Sequence, residues 1–261
     1  SKNKNDFYNA ACYASLAGDK DQAFTWLELA VQIGYDNLNH LKDDSDLLNL
    51  QTDARWGKLI TQLNERIAFI ESNYDKPLQK QLLQIYQDDQ QGRNQLTPLI
   101  KKYGFKSKEV KEKWDSINEL DKNNLAQIEA IIKEHGWVGP NKVGNQASNT
   151  IYLVIQHADL KIQQQYLPMM REAVKDKRAK AGSLALLEDR VAVGEGRNQI
   201  YGSQLTSDEN GQFSLSPIED PDNVDARRAS VGLQTMAENL KRWNLTWDVE
   251  AHKKANLKPN K

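Results

Sequence analysis

The sequence predicts a mainly α protein: an N-terminal helical hairpin, then a C-terminal helical domain carrying a small β-hairpin. Three observations predict it. Apolar residues recur at helical spacing along most of the 261 residues, although the mean hydropathy is only -0.75. Short polar residues, prolines and glycines fall where helices should start and stop. Only residues 199–218 alternate with a period of two, around a D-E-N-G turn signal. The chain is 27% charged and 39% hydrophobic; the spacing of those apolar residues argues for folding rather than disorder.

The first segment spans 1–73. "FYNAACYASLAGDKDQAFTWLELAVQIGY" contains two apolar helical stretches split by "AGDKDQ". Ala10, Ala11 and Ala14 line the first; Ala23, Leu27 and Ala30 line the second, so two antiparallel helices can approach closely. Gly18 ends the first and Asp19 can cap the second. Leu47, Leu50, Trp56, Leu59 and Ile60 give a third helical face, with Asp53 at its cap. Over about 34 residues this pattern resembles a tetratricopeptide repeat, which implies a protein or peptide partner. One repeat cannot bury its own face, so further repeats upstream or packing against the next domain are expected.

The second domain spans 74–248. Asp75 and Pro77 open a helix with Leu78, Leu82, Leu83, Ile85 and Tyr86 inward. A second helix covers about 108–135, with a break expected near Ser116 to Asp121 and Val110, Trp114, Ile117, Leu120, Leu125, Ile128, Ile131 and Ile132 on its apolar face. Gly136 stops it, Gly139 and Pro140 turn, and Gly144 or Asn145 opens a helix with Ala147, Ile151, Val154 and Ile155 in the core and His157 at its end. Two more helices carry Leu167, Met170 and Val174, then Leu184, Leu187 and Val191; Pro168 marks a kink or a late start. "QIYGSQLTS" and "QFSLSPI" form the hairpin around Asn210-Gly211. Helix resumes through "NVDARRASVGLQTMAENLKRW", with Asn223 or Asp225 near its cap and Val231, Leu233 and Met236 inward; 249–261 reads as a polar tail.

Bulk numbers remove several function classes. The net charge is -1 and the pI about 6.4, so no global field attracts nucleic acid or an anionic membrane. The lysines at 101, 102, 106, 108, 111 and 113 are interleaved with acids and read as a solvated face. The longest apolar run, "TIYLVI", is too short to span a bilayer. Cys12 is the single cysteine, in an apolar setting that suits a core residue. The chain starts at Ser1 rather than Met, so the compartment stays open, cytoplasmic or exported after loss of a leader, as does the oligomeric state.

A series of short motifs resembles an uncharacterised bacterial domain family that often follows tetratricopeptide-type segments. It runs D-Q-x-x-R at Asp89 to Arg93, H-G-W at His135 to Trp137, V-G-x-x-A-S at Val143 to Ser148 and Q-H-A-D at Gln156 to Asp159. It continues with E-D-R at Glu188 to Arg190, Q-x-Y-G-S-Q at Gln199 to Gln204, P-I-E-D at Pro217 to Asp220 and V-D-A-R-R at Val224 to Arg228. Val138 stands where the pattern has proline, and Ser203 where it has threonine. The resemblance covers about 75–245 and implies a fold and site candidates, without a reaction.

The candidate ligand-binding residues are His135, Trp137, Gln156, His157, Asp159, Arg190, Gln199, Tyr201, Gln204, Asp225 and Arg228. Amide, phenol and guanidinium groups of this kind read peptides, sugars or small polar ligands by hydrogen bonds. The first reading is therefore an interaction protein with a polar pocket under the hairpin. The alternative is a hydrolase or transferase using His135 or His157 with an acid among Asp159, Glu188 and Glu219. A third is purely structural: Asp189-Arg190 and Asp225 with Arg227 and Arg228 as orienting ion pairs. His135, His157 and Asp159 lack local metal-ligand spacing such as H-x(3)-H, and there is no P-loop, G-x-G-x-x-G or G-x-S-x-G. Neither a cofactor nor a metal is assigned.

Overall fold

Short polar side chains open most of the helices, because each accepts a backbone N–H that the first turn leaves over. The computed structural model describes residues 3–208 and 212–256. It is mainly α with one small antiparallel hairpin, as the sequence predicts. The chain divides into two compact units, 1–74 and 75–261.

In the first unit Asn3 caps α1 (Lys4–Leu16) in a reciprocal capping box with Asp6, and Asp19 caps α2 (Lys20–Gln32). Ala11, Ala23 and Ala30 are fully buried, so α1 and α2 pack closely. Asn37 opens α3 (Leu38–Asp43), a 3-10 turn follows at Ser45–Leu50, and Asp53 opens α4 (Ala54–Glu71). Leu27, Leu41, Leu47, Leu50 and Leu63 close this core. The Tyr8 hydroxyl donates to Asp44, 2.7 Å away, and the Tyr8 and Tyr35 rings stack at 4.5 Å. Burial, then Asp44, pushes the Cys12 thiol up to about 12, which suits a core residue rather than a nucleophile.

The second unit is built around α8. Its α5 (Lys76–Tyr103) and α6 (Lys108–His135) start at Asp75 and Ser107 and end at Gly104 and Gly136. α6 runs unbroken through 116–121, where a break was expected; its Ile117, Asn124, Ile128 and Ile131 stay buried along the whole length. Trp114 and Leu120, expected inward, are exposed. α7 (Pro140–Val143) is a single turn, and α8 (Asn145–His157) contacts α5, α6, α7, α9 and α10. α9 (Leu160–Lys175) carries Pro168 inside it, and α10 (Ala181–Gly194) completes the bundle. Ile85, Ile128, Ile151, Ile155, Met170 and Leu187 form the main core.

β1 (Leu205–Ser207) and β2 (Phe213–Leu215) pair in register Leu205 to Leu215, and Gln199 bridges to Ile218 beside them. The expected Asn210-Gly211 turn lies outside the described residues. The helix expected from 223 onward is two pieces, α11 (Val224–Ser230) and α12 (Met236–Lys241). Gly232 at φ 75° breaks the chain between them and Thr235 with Glu238 forms a capping box for α12. α13 (Val249–Asn256) is helical where the sequence reads as tail, and Asp248 accepts the Ala251 N–H at its start. Ile218, Val224, Met236 and Leu240 form a small second core here. Among the described residues no helix is long and apolar enough to cross a membrane.

Candidate functional site

Much of the expected pocket wall is internal scaffolding. Asp189, fully buried on α10, accepts three backbone N–H groups: Ile200 at 2.7 Å and Tyr201 at 2.9 Å on Oδ1, and Ser203 at 2.9 Å on Oδ2. It therefore folds the 200–203 turn and does not pair with Arg190. Gln199, also fully buried, donates to the Gln204 and Ser216 carbonyls and accepts the Gln204 N–H. The Gln204 amide donates to the Ser203 hydroxyl at 2.9 Å. Arg228 reaches the Tyr201 and Gln234 carbonyls at 2.6 and 2.5 Å, and Asp225 accepts the Met236 N–H at 2.7 Å. Arg227 binds the Ile200, Glu219 and Asp220 carbonyls. Glu188 accepts from Arg171. These partners engage most of the hairpin groups that were expected to face a ligand; Tyr201 is half-buried, with burial, then Glu188 and Asp189, raising its pKa.

A different set converges at the C-terminal end of α8. The inward stripe of α5 runs Leu78, Leu82, Ile85 and then Asp89, which is 1% exposed. His157, the last residue of α8, brings Nδ1 to 2.9 Å from Asp89 Oδ1. An ionised carboxylate only accepts, so Nδ1 carries the hydrogen and Nε2 is left as the free nitrogen of the neutral ring. Gln90 donates to Asp89 Oδ2 at 2.7 Å, and Arg93 lies 3.4 Å from Oδ1. Burial alone would raise the Asp89 carboxyl; the His157 hydrogen bond and charge, then Arg93 and Gln90, hold it below the ordinary value. Arg93 also grips Asp121 of α6 with two hydrogen bonds, 2.9 and 2.7 Å long.

His157 Nε2 makes no hydrogen bond among the described residues. His157 borders an open cleft with Asp115, Glu119, Asp121, Lys122 and Asp159. Asp159 caps α9 through the Ile162 N–H at 2.9 Å. Gln156 accepts the Tyr152 hydroxyl at 2.7 Å, and burial pushes that phenol up to about 12. Arg190 is half-buried near Tyr152 and Arg93, and its buried Nε finds no acceptor. Burial lowers its pKa, and Arg93 adds to the effect.

Asp89, Asp121 and His157 each offer a ligand atom within 4.8 Å of the others. They are the residues able to hold a metal here, and Arg93 already places a cation between the two acids. His135 does not meet His157; its Nε2 lies 3.5 Å from Glu134 at the end of α6. Trp137 is buried in the main core, and its carbonyl accepts from Arg178 at 2.9 Å. Of the expected residues, then, Gln156, His157, Asp159 and Arg190 gather at this end of α8. Asp89, Arg93, Asp121 and Tyr152 join them without having been expected as ligand-binding; the signals for Asp89 are its place on an apolar stripe and, with Arg93, in the D-Q-x-x-R motif.

The second unit is thus mainly α with one small hairpin, and in it buried Asp89 holds His157, which borders a cleft. A family model described as "Family of unknown function (DUF6624)" matches residues 61–250, and the chain belongs to that family. No curated protein and no solved structure matches it.

Proposed function

We propose that the second unit is a hydrolase or transferase in which His157 is the general base and acid. The observation that carries this is the division of labour on one imidazole: Nδ1 tied to buried Asp89, Nε2 unbonded beside an open cleft. Such an imidazole accepts a proton from a water or hydroxyl nucleophile at Nε2, while Asp89 steadies the imidazolium that forms. The proton is then returned to the leaving group. The acidic rim of Asp115, Glu119, Asp121 and Asp159 favours a neutral or cationic polar substrate. Chromogenic ester, amide, phosphoester and glycoside substrates test the reading. At least one class should turn over, and His157→Gln should lower kcat by about 100-fold or more with the fold intact. Turnover of none of them, or turnover indifferent to His157→Gln, contradicts it.

A second reading, recognition without chemistry, is supported by the Arg190 guanidinium, whose Nε lacks an acceptor. Under it, ligand binding survives His157→Gln and is lost in Arg190→Gln, with no product formed.

A further inference from the structure

α8 and α10 both begin without a side-chain cap, behind Gly144 and Lys180. The N–H groups of two first turns are therefore left over, and each helix dipole puts partial positive charge there. One small pocket touches both starts. Asn145 and Ser148 border it from α8, Ser183 from α10, and Lys177, Arg178 and Lys180 from the turn before α10. Its free space is about 60 Å³, several waters' worth and suited to a phosphate or carboxylate group.

Two further observations point to a ligand of one sign. The pocket is bordered by three cations and no carboxylate. Arg178 is committed to the Trp137 carbonyl and Asp176, whereas Lys177 and Lys180 have no ion-pair partner among the described residues. Trp137 also borders the pocket; it is 2% exposed, and its indole N–H has no acceptor among the described residues. That N–H is not among the sealed unpaired atoms, so it keeps some accessible surface, and Trp137 borders this pocket. Helix N–H groups, two ammonium groups and an indole N–H are all donors, the set that an oxyanion satisfies.

We propose that this pocket binds the oxyanion, phosphate or carboxylate, of a small ligand. The site is separate from the His157 cleft and does not depend on chemistry there. The test is thermal unfolding and tryptophan fluorescence of the full chain in sodium phosphate, sodium acetate and sodium chloride at matched ionic strength. Phosphate or acetate should raise the midpoint saturably by roughly 2 to 4 °C more than chloride. Phosphate alone doing so marks a phosphoryl ligand; acetate alone, a carboxylate; both, the shared oxyanion chemistry. The Lys177→Gln, Lys180→Gln double variant, changed only at exposed positions, should weaken binding about tenfold or more, Trp137→Phe should weaken it too, and His157→Gln should leave it unchanged. No excess effect of either anion over chloride, or equal affinity in the double lysine variant, overturns the proposal.

Discussion

A carboxylate with almost no exposed surface costs free energy unless several groups answer its charge. Asp89 is answered by His157, Gln90 and Arg93. Its folded pKa is lowered, so its contribution is full above the ordinary carboxylate value of about 4 and is lost as the pH falls through the lower folded value. Asp89→Asn should cost about 2 kcal/mol at neutral pH. In denaturant titrations the gap from the parent protein should shrink only below about pH 4; a gap unchanged at pH 2 would refute the linkage. Asp189 gives a sharper residue-scale case. Asparagine offers one oxygen where three N–H groups need two, and turns an NH₂ toward the Ser203 N–H. Asp189→Asn should destabilise by about 2 kcal/mol and speed amide exchange at 200–203. Protection there equal to the parent's would contradict the role.

The elements show how far local rules reach. Asp19, Asp53, Asp75 and Asp159 all cap helices, and the first three positions are legible from polarity followed by an apolar stripe. The break between α11 and α12 was legible too, in Gly232 and the Thr-x-x-Glu at 235–238, but the apolar spacing of Val231, Leu233 and Met236 masks it. The continuity of α6 was not legible, because polar residues at 116–121 say nothing about what packs beside them. Gly202 was readable as a close approach: its φ is 67°, and a Cβ there would lie 2.6 Å from Met236 Sδ and 2.9 Å from Ile218 Cδ1. Gly202→Ala should therefore cost about 2 to 3 kcal/mol, combining backbone strain with overpacking of the small second core. Calorimetry showing a midpoint equal to the parent's would sink that account.

At the scale of the molecule, fold class follows from periodicity, whereas the site depends on which helices meet. Asp89 and His157 are 68 residues apart and come from α5 and α8; Asp121 comes from α6 and Arg190 from α10. No local spacing encodes that meeting. The sequence points instead to the polar residues near the hairpin, where Gln199 and Arg228 are spent on backbone groups and Gln204 on the Ser203 hydroxyl, because a short two-stranded element needs support to hold its turns. Conversely, an aspartate on an apolar stripe is a readable oddity whose partner only the fold supplies. The central claim is that Asp89 fixes the His157 tautomer and leaves Nε2 open to the cleft. Long-range ¹⁵N–¹H correlation spectra of the imidazole in its neutral form measure this directly. The hydrogen should sit on Nδ1 in the parent protein, with that preference lost in Asp89→Asn. A hydrogen on Nε2 in the parent protein would contradict the account.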